Sequence, residues 1–251
     1  MQQSEIFTPR EKVIEIKNLY KSFGENKVLI DFSMDLHRGE NLVVLGKSGS
    51  GKSVLIKCII GLMKPDSGSI KVLGNEITVL NNEALDDMRM KVGFLFQSNA
   101  LYDSMTVREN LEFPLRRHKQ IFKKSEEDLM VMEVLENVGL AHTLHMMPAE
   151  LSGGMKKRIA LARTLLLRPE IVLYDEPTTG LDPITGREIS QLIIELQKKY
   201  NTSSIIISHD LNCVKITANE IVMLIDGKCY ARAKLDELRQ STDSKIQSFF
   251  V

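Results

Sequence analysis

The segment Gly46-Lys47-Ser48-Gly49-Ser50-Gly51-Lys52-Ser53 limits what this chain can fold into more than any other stretch. It follows an apolar run at 42–45 and opens into Val54-Leu55-Ile56-Lys57, so a glycine-rich loop joins a strand to a helix. Such a loop turns consecutive backbone N–H groups inward onto an anion, and the start of the following helix adds positive potential. Lys52 reaches the terminal phosphates of a nucleotide held there, and the Ser53 hydroxyl is placed to ligate Mg2+. The spacing G-x-x-x-x-G-K-S in that setting predicts a nucleotide site; the competing reading is an ordinary Gly/Ser loop.

At 251 residues, 43% of them hydrophobic, the chain suffices for one large α/β domain, alone or with a small inserted lobe. Thirty-three basic residues balance thirty-three acidic ones, so no net field points to a nucleic-acid partner and none is expected. Cys58, Cys213 and Cys229 lack metal-ligand spacing and suit buried thiols in a reducing cytosol. The first ten residues have no charged-then-apolar design, which predicts no signal peptide. Apolar runs such as 58–63 and 221–225 fall short of the roughly 18 residues a membrane-spanning helix needs. Any membrane role must then pass through a partner.

Residues 13–19 alternate polar and apolar, 28–36 do so loosely, and Phe23-Gly24-Glu25-Asn26 lies between them as a turn, which predicts antiparallel sheet. The continuous apolar run before the phosphate loop fits a strand buried on both faces. Short strands are expected at 69–73 and 76–80, a helix at 83–90 and a second buried strand at 92–96. From 98 to about 168 helical segments dominate, at 107–117, 125–138 and 152–167, as an inserted helical lobe. Strand and helix then alternate: 171–174, 183–200, 204–208, 210–218 and 220–225. That order implies a parallel, twisted sheet with its active loops at the carboxyl edge.

Ile171-Val172-Leu173-Tyr174-Asp175-Glu176 is an apolar strand ending in two carboxylates. Beside a phosphate loop, Asp175 is placed to hold Mg2+ directly or through water, and Glu176 to orient and deprotonate an attacking water. Two acids that simply end a strand before Pro177 are the plain alternative. Leu151-Ser152-Gly153-Gly154-Met155 opens a further helix whose free N–H groups and serine hydroxyl would face a second phosphate; a simple helix cap is its plain alternative.

With these three elements in one chain, the sequence resembles the ATP-binding subunits of ABC transporters from about residue 14 to 225. The resemblance implies an α/β fold: a P-loop NTPase (RecA-like) parallel sheet core, an N-terminal antiparallel β subdomain, and an inserted helical subdomain at about 98–168. It treats 1–251 as a single ATP-binding domain, with a C-terminal extension at about 226–251. The activity it implies is ATP hydrolysis, with ATP and Mg2+ as cofactors. Residues 46–54 would cradle the phosphates, and Tyr20 would stack on adenine, unless it is only a half-buried sheet aromatic. Ser53, Gln97 and Asp175 would serve the metal, although Gln97 also suits a solvent-facing strand end. Lys52, Glu176 and His209 would carry catalysis, His209 contacting the terminal phosphate and holding Glu176; a satisfied strand-end histidine is the alternative. Ser152, Gly153 and Gly154 would bind the nucleotide of a second copy, and Gly180-Leu181-Asp182 matches the loop that crosses to it. The implied assembly is a head-to-tail homodimer with each ATP between the Gly46 loop of one chain and Ser152 of the other.

Within the family, the segment from Phe96 through Tyr102 to Asn110, with Pro114-Leu115, is similar to the Mla-type ATPases that maintain lipid asymmetry. Met155 in place of the commoner glutamine, and the tail from Ser241 through Asp243 and Ile246 to Phe249, share that likeness. Lys47 and Ser244 depart from it. The likeness implies integral-membrane permease partners received by a groove over 100–117, a periplasmic lipid-binding partner, and placement at the cytoplasmic face of the inner membrane. Phe249-Phe250-Val251 is expected to dock on a partner subunit, because an apolar end is rarely left exposed. Two alternatives stay open: another cargo, amino acid or lipoprotein, and a soluble ABC protein of DNA repair, translation or cofactor assembly. The single phosphate loop and the absence of a long heptad run count against the second.

Overall fold

The computed structural model describes residues 11–116 and 123–250. The N-terminal alternation becomes a long hairpin in which β1 (Lys12–Phe23) pairs antiparallel with β2 (Asn26–His37), from Lys12 opposite His37 to Phe23 opposite Asn26. β3 (Asn41–Leu45) then leads through the glycine-rich loop into α1 (Lys52–Ile59). β4 (Ser67–Val72) pairs with the other edge of β1, and β5 (Asn75–Glu76) completes a four-stranded antiparallel sheet in the order β2-β1-β4-β5.

The strand expected at 76–80 stops after Glu76 and becomes a single turn of 3-10 helix, Ile77–Val79. The Glu76 carboxylate accepts from Ile70 N at 3.1 Å and Thr78 Oγ1 at 2.6 Å, so local side-chain bonds replace the ladder.

After α2 (Asn82–Met90) the chain enters β6 (Val92–Leu95) and then the helical segment: α3 (Val107–Arg116), α4 (Lys124–Asn137) and α5 (Gly153–Leu165). Residue 117, expected to end the first of these helices, lies outside the described residues, as do the first ten residues and Val251. β7 (Ile171–Asp175), α6 (Pro183–Tyr200), β8 (Ser203–Ser208), α7 (Leu211–Thr217) and β9 (Glu220–Ile225) follow the expected alternation. The six-stranded sheet has the order β10-β9-β3-β8-β7-β6, and its members from β9 to β6 run parallel.

The remaining strand is β10 (Lys228–Ala233), within the segment expected only as a C-terminal extension. It folds back antiparallel on β9 through Asp226 (φ 51) and Gly227 (φ 74), a two-residue turn with both central residues left-handed. Asp-Gly is the dipeptide that favours such a hairpin, so a signal was present. Two short helices, α8 (Leu235–Gln240) and α9 (Ser244–Gln247), bury Leu238 and Ile246 against the body of the same chain. Of the terminus expected to dock on a partner, Phe249 and Phe250 are partly buried against their own core.

Burial on both faces explains the unbroken apolar runs. In β3, Val43 and Leu45 enter one core with the helical segment, while Leu42 and Val44 enter another with the antiparallel sheet and α1. β7 divides likewise: Val172 and Tyr174 on one side, Ile171 and Leu173 on the other. Alternate side chains of one strand thus build two cores, each buried aliphatic contributing about 1.5–3 kcal/mol. The helical segment shares a core with the parallel sheet, so the strand ends and the α5 N-terminus are held by common packing.

Candidate nucleotide site

The loop after β3 turns through Gly49 (φ 78) and Gly51 (φ 102), and no side chain caps α1. A Cβ on Gly51 would lie 2.7 Å from Val28 Cγ1, so glycine is required there for space as well as for backbone angle. Lys52, 6% exposed, curls back: its Nζ donates to Gly46 O at 2.7 Å and Lys47 O at 3.1 Å. Its ammonium stands over the cradle, 3.6 Å from Glu176 Oε1. The Ser50 hydroxyl is buried without a hydrogen-bond partner, a polar atom left over in a phosphate-shaped loop.

β7 delivers the two acids. Ser53 Oγ donates to Asp175 Oδ1 at 3.0 Å. Burial pushes the Asp175 carboxyl above its usual range, and the charge of Glu176 pushes it the same way, while Ser53 and the nearby lysines oppose. A carboxylate beside the Ser53 hydroxyl offers the hard oxygen donors that suit a cation such as Mg2+. Among the described residues no cluster of three or more His, Cys, Asp or Glu could hold a metal. An ion here would need oxygen ligands from the nucleotide and water.

Glu176 adopts φ 51, a left-handed backbone for a residue with a full side chain. Its N–H donates to Ile207 O at 3.0 Å, and its carboxylate is gripped from both ends: His209 Nδ1 at 2.8 Å and Thr179 Oγ1 at 3.2 Å on Oε2, Lys52 on Oε1. Strain of this kind persists where surrounding structure enforces it, and here it aims a buried carboxylate into the cleft. His209 is fixed by its neighbours: Asp210 N donates to Ser208 Oγ at 3.0 Å, and Asp210 caps α7.

Ser48, Gly49, Gly51, Lys52, Ser53 and Val54 line one cleft of about 290 Å3 with Gln97, Glu176 and His209. On the other side the same loop borders a second cleft of about 440 Å3, formed with Asn26, Val28, Gly227 and Phe249. Lys47 lies in this second cleft, its Nζ 5.8 Å from the centre of the Phe249 ring. Leu151 to Met155, the signature segment of the family resemblance, lies elsewhere. Ser152 caps α5 by accepting from Met155 N at 3.2 Å and, with Gly153, Gly154 and Asp182, lines a third cleft of about 520 Å3. The Asp182 carboxylate accepts from Ile184 N, Thr185 N and Thr185 Oγ1, so it is occupied in capping α6.

Tyr20 lines none of the three clefts: it stands opposite Ser67, its carbonyl accepting from Asp66 N at 2.9 Å. Phe23, 49% exposed at the hairpin tip, pairs with Asn26, which does border the loop. Thr179 and Lys157 also went unnoticed in the sequence. Lys157 is 1% exposed and donates to Gln97 O at 3.1 Å; burial pulls its pKa down to about 8, against the opposing charge of Asp175. A lysine two residues past Met155 reads as a solvated helix position until the fold turns it inward.

The family described as ABC transporter matches residues 29–179. The chain belongs to that family and is an ATP-binding, ATP-hydrolysing cassette. It is 41% identical, over 96% of its length and 69% of the relative's, to the probable ribonucleotide transport ATP-binding protein Mkl of Mycobacterium leprae. It is 36% identical to the intermembrane phospholipid transport ATP-binding protein MlaF of Haemophilus influenzae, over 95% of this chain and 90% of that one. Identity to the methionine import ATP-binding protein MetN of Clostridium tetani is 39%, over 86% of this chain and 67% of that one. Among solved structures, the dimeric ATP-binding cassette MJ0796 in a post-hydrolysis state with ADP and Pi superposes with a TM-score of 0.80 at 31% identity, over 88% of this chain and 98% of the other.

Proposed function

We propose that this chain is the ATPase of a membrane transporter for phospholipid, working as a head-to-tail pair of identical subunits. One observation carries the pairing: the phosphate-loop cleft and the signature cleft share no lining residue. This supports a nucleotide that touches both by lying between two chains. In that arrangement Ser152 and the free N–H groups at the start of α5 meet the phosphates cradled by the partner's loop. Lys52 leaves its carbonyl partners for the terminal phosphates, which frees Glu176 Oε1 to accept a proton from water while His209 and Thr179 hold Oε2. Ser53 and Asp175, with Gln97 lining the same cleft as Ser53, would hold Mg2+, which would supply charge neutralisation to the transferring phosphoryl group. The base lies toward the hairpin tip, where Phe23 rather than Tyr20 offers a stacking face.

Membrane coupling is supported by an apolar surface after β6. Tyr102 and Phe113, each about two-fifths exposed, pack ring to ring at 4.6 Å in the region proposed to accept a permease helix, at the cytoplasmic face of the inner membrane. Among the described residues no helix is long and apolar enough to cross a membrane. Phospholipid as cargo, with a periplasmic lipid-binding partner, is supported by the near full-length likeness to MlaF and by Met155 in the signature. The likeness to MetN favours an amino acid as second reading. Purification of the chain with its membrane subunits, followed by reconstitution into vesicles, decides between them. Transfer of labelled phospholipid dependent on ATP is expected; stimulation by methionine alone would assign the second cargo.

A further inference from the structure

The loop that carries Gln97 is bent against its backbone preference. Asn99 (φ 64) and Ala100 (φ 50) stand side by side in the left-handed region, where the alanine Cβ crowds its own following carbonyl. A bend of this kind lasts only where neighbours impose it. Here the restraint comes from one helix. Lys157 Nζ donates to Gln97 O at 3.1 Å, Arg163 Nη2 to Asn99 O at 2.8 Å, and Arg163 Nη1 to Ala100 O at 2.7 Å. Two cations of α5 therefore bind the carbonyls of residues 97, 99 and 100, and Thr164 Oγ1 reaches Phe94 O at 3.4 Å. Beneath them α5 lies tight on β6: a Cβ on Gly93 would come within 2.8 Å of Thr164 O.

Lysine is almost never buried this fully without a partner. Lys157 spends its charge on the Gln97 carbonyl and on the field of Asp175, which leaves the Gln97 side chain free to line the nucleotide cleft. The same helix begins at Gly153, where Ser152 and two glycines face the third cleft. One rigid rod thus has the signature at its tip and the glutamine loop fastened along its flank.

We propose that Lys157 and Arg163 are positioning residues that fasten the Gln97 loop to the signature helix, so that phosphate binding at Ser152 and placement of Gln97 beside the nucleotide are a single movement. The inference rests on the role given above to Gln97. Without the two cations, Gln97 relaxes independently of α5, and turnover suffers more than nucleotide affinity.

The test uses the whole 251-residue chain, steady-state ATPase kinetics and backbone hydrogen exchange. Lys157→Met keeps an unbranched chain in the core and removes the donor. The expected result is a kcat lower by about tenfold or more, a KM for Mg-ATP within about threefold, and faster exchange at residues 97–101 while β3 and β7 keep their protection. Lys157→Arg, still able to donate to Gln97 O, recovers most of kcat. Wild-type kcat in folded Lys157→Met overturns the proposal, as does exchange that rises evenly over α5 and the sheet. Should Lys157→Met fail to fold, Arg163→Lys takes its place, and unchanged kcat with unchanged exchange at 99–101 overturns the proposal. Gln97→Ala separates the two ideas: full turnover there removes the role of Gln97, whereas lost turnover beside an active Lys157→Met removes the fastening.

Discussion

His209 Nδ1 donates to Glu176 Oε2 across 2.8 Å, joining the end of β8 to the end of β7 at the mouth of the phosphate cleft. The bond orients a carboxylate whose other oxygen faces Lys52, so the acid is aimed into the cleft by its own chain. Glu176→Gln keeps the shape and the left-handed backbone but loses the basicity. Turnover should fall about 100-fold or more while ATP still binds, and size-exclusion chromatography with Mg-ATP should show accumulation of the paired form. Unimpaired phosphate release by this variant would remove Glu176 from the role of base.

Lys52→Met tests the cradle. The buried ammonium donates to two loop carbonyls and lies in the cleft proposed to take the terminal phosphate. Loss of a charge-assisted contact should weaken ATP binding by about tenfold or more in calorimetric titration. An unchanged dissociation constant would show that the loop N–H groups suffice.

Ser152→Asp distinguishes an anion site from a helix cap. Aspartate caps as well as serine, so the thermal midpoint should stay close to wild type. Its negative charge would face the partner's phosphates, so kcat should drop by about tenfold or more. If stability and turnover both survive, Ser152 is a cap and nothing else.

Phe23→Ala and Tyr20→Ala separate two candidate stacking faces. The first should weaken binding of a fluorescent ATP analogue several-fold, about the worth of one aromatic contact. The second should leave binding unchanged, because Tyr20 lies opposite Ser67 and borders none of the three clefts. Reversal of that order would return Tyr20 to the adenine site.

Asp35 gives a pH-dependent stability away from the site. Burial pushes its carboxyl up, but Lys12 at 2.7 Å and Arg232 outweigh it and hold the group below its ordinary value of 3.8. A folded-state value below the unfolded one gives stability that is present above pH 3.8 and is lost as the pH falls through the folded value. Asp35→Asn should therefore cost about 1–2 kcal/mol in urea unfolding at pH 7, and the gap should narrow below pH 3.8. A constant gap across that range would point to packing instead.

Much of the site was legible in the residues because its parts are local. A glycine-rich loop between strand and helix, two acids ending an apolar strand, and a serine before two glycines each depend on a few consecutive positions. The position of Tyr20 outside the three clefts was not legible, because an aromatic in a strand shows its side of the sheet only once the bulges of the β1–β2 ladder are known, and those shift the register between Leu19 and Ser22. The C-terminal hairpin went unread although Asp226-Gly227 signalled it, since its partner β9 already looked complete.

From the chain alone came the parallel sheet, the phosphate loop and the identity of its acids, because backbone conformation and hydrophobic period act over a handful of neighbours. Only the folded molecule decided that Lys157 turns inward onto Gln97 O, that Phe249 packs beside Lys47, and that Ser152 and Lys52 face different clefts. Those relationships join residues dozens or hundreds of positions apart. They are set by which faces two shared cores can bury together, a competition that no local window contains.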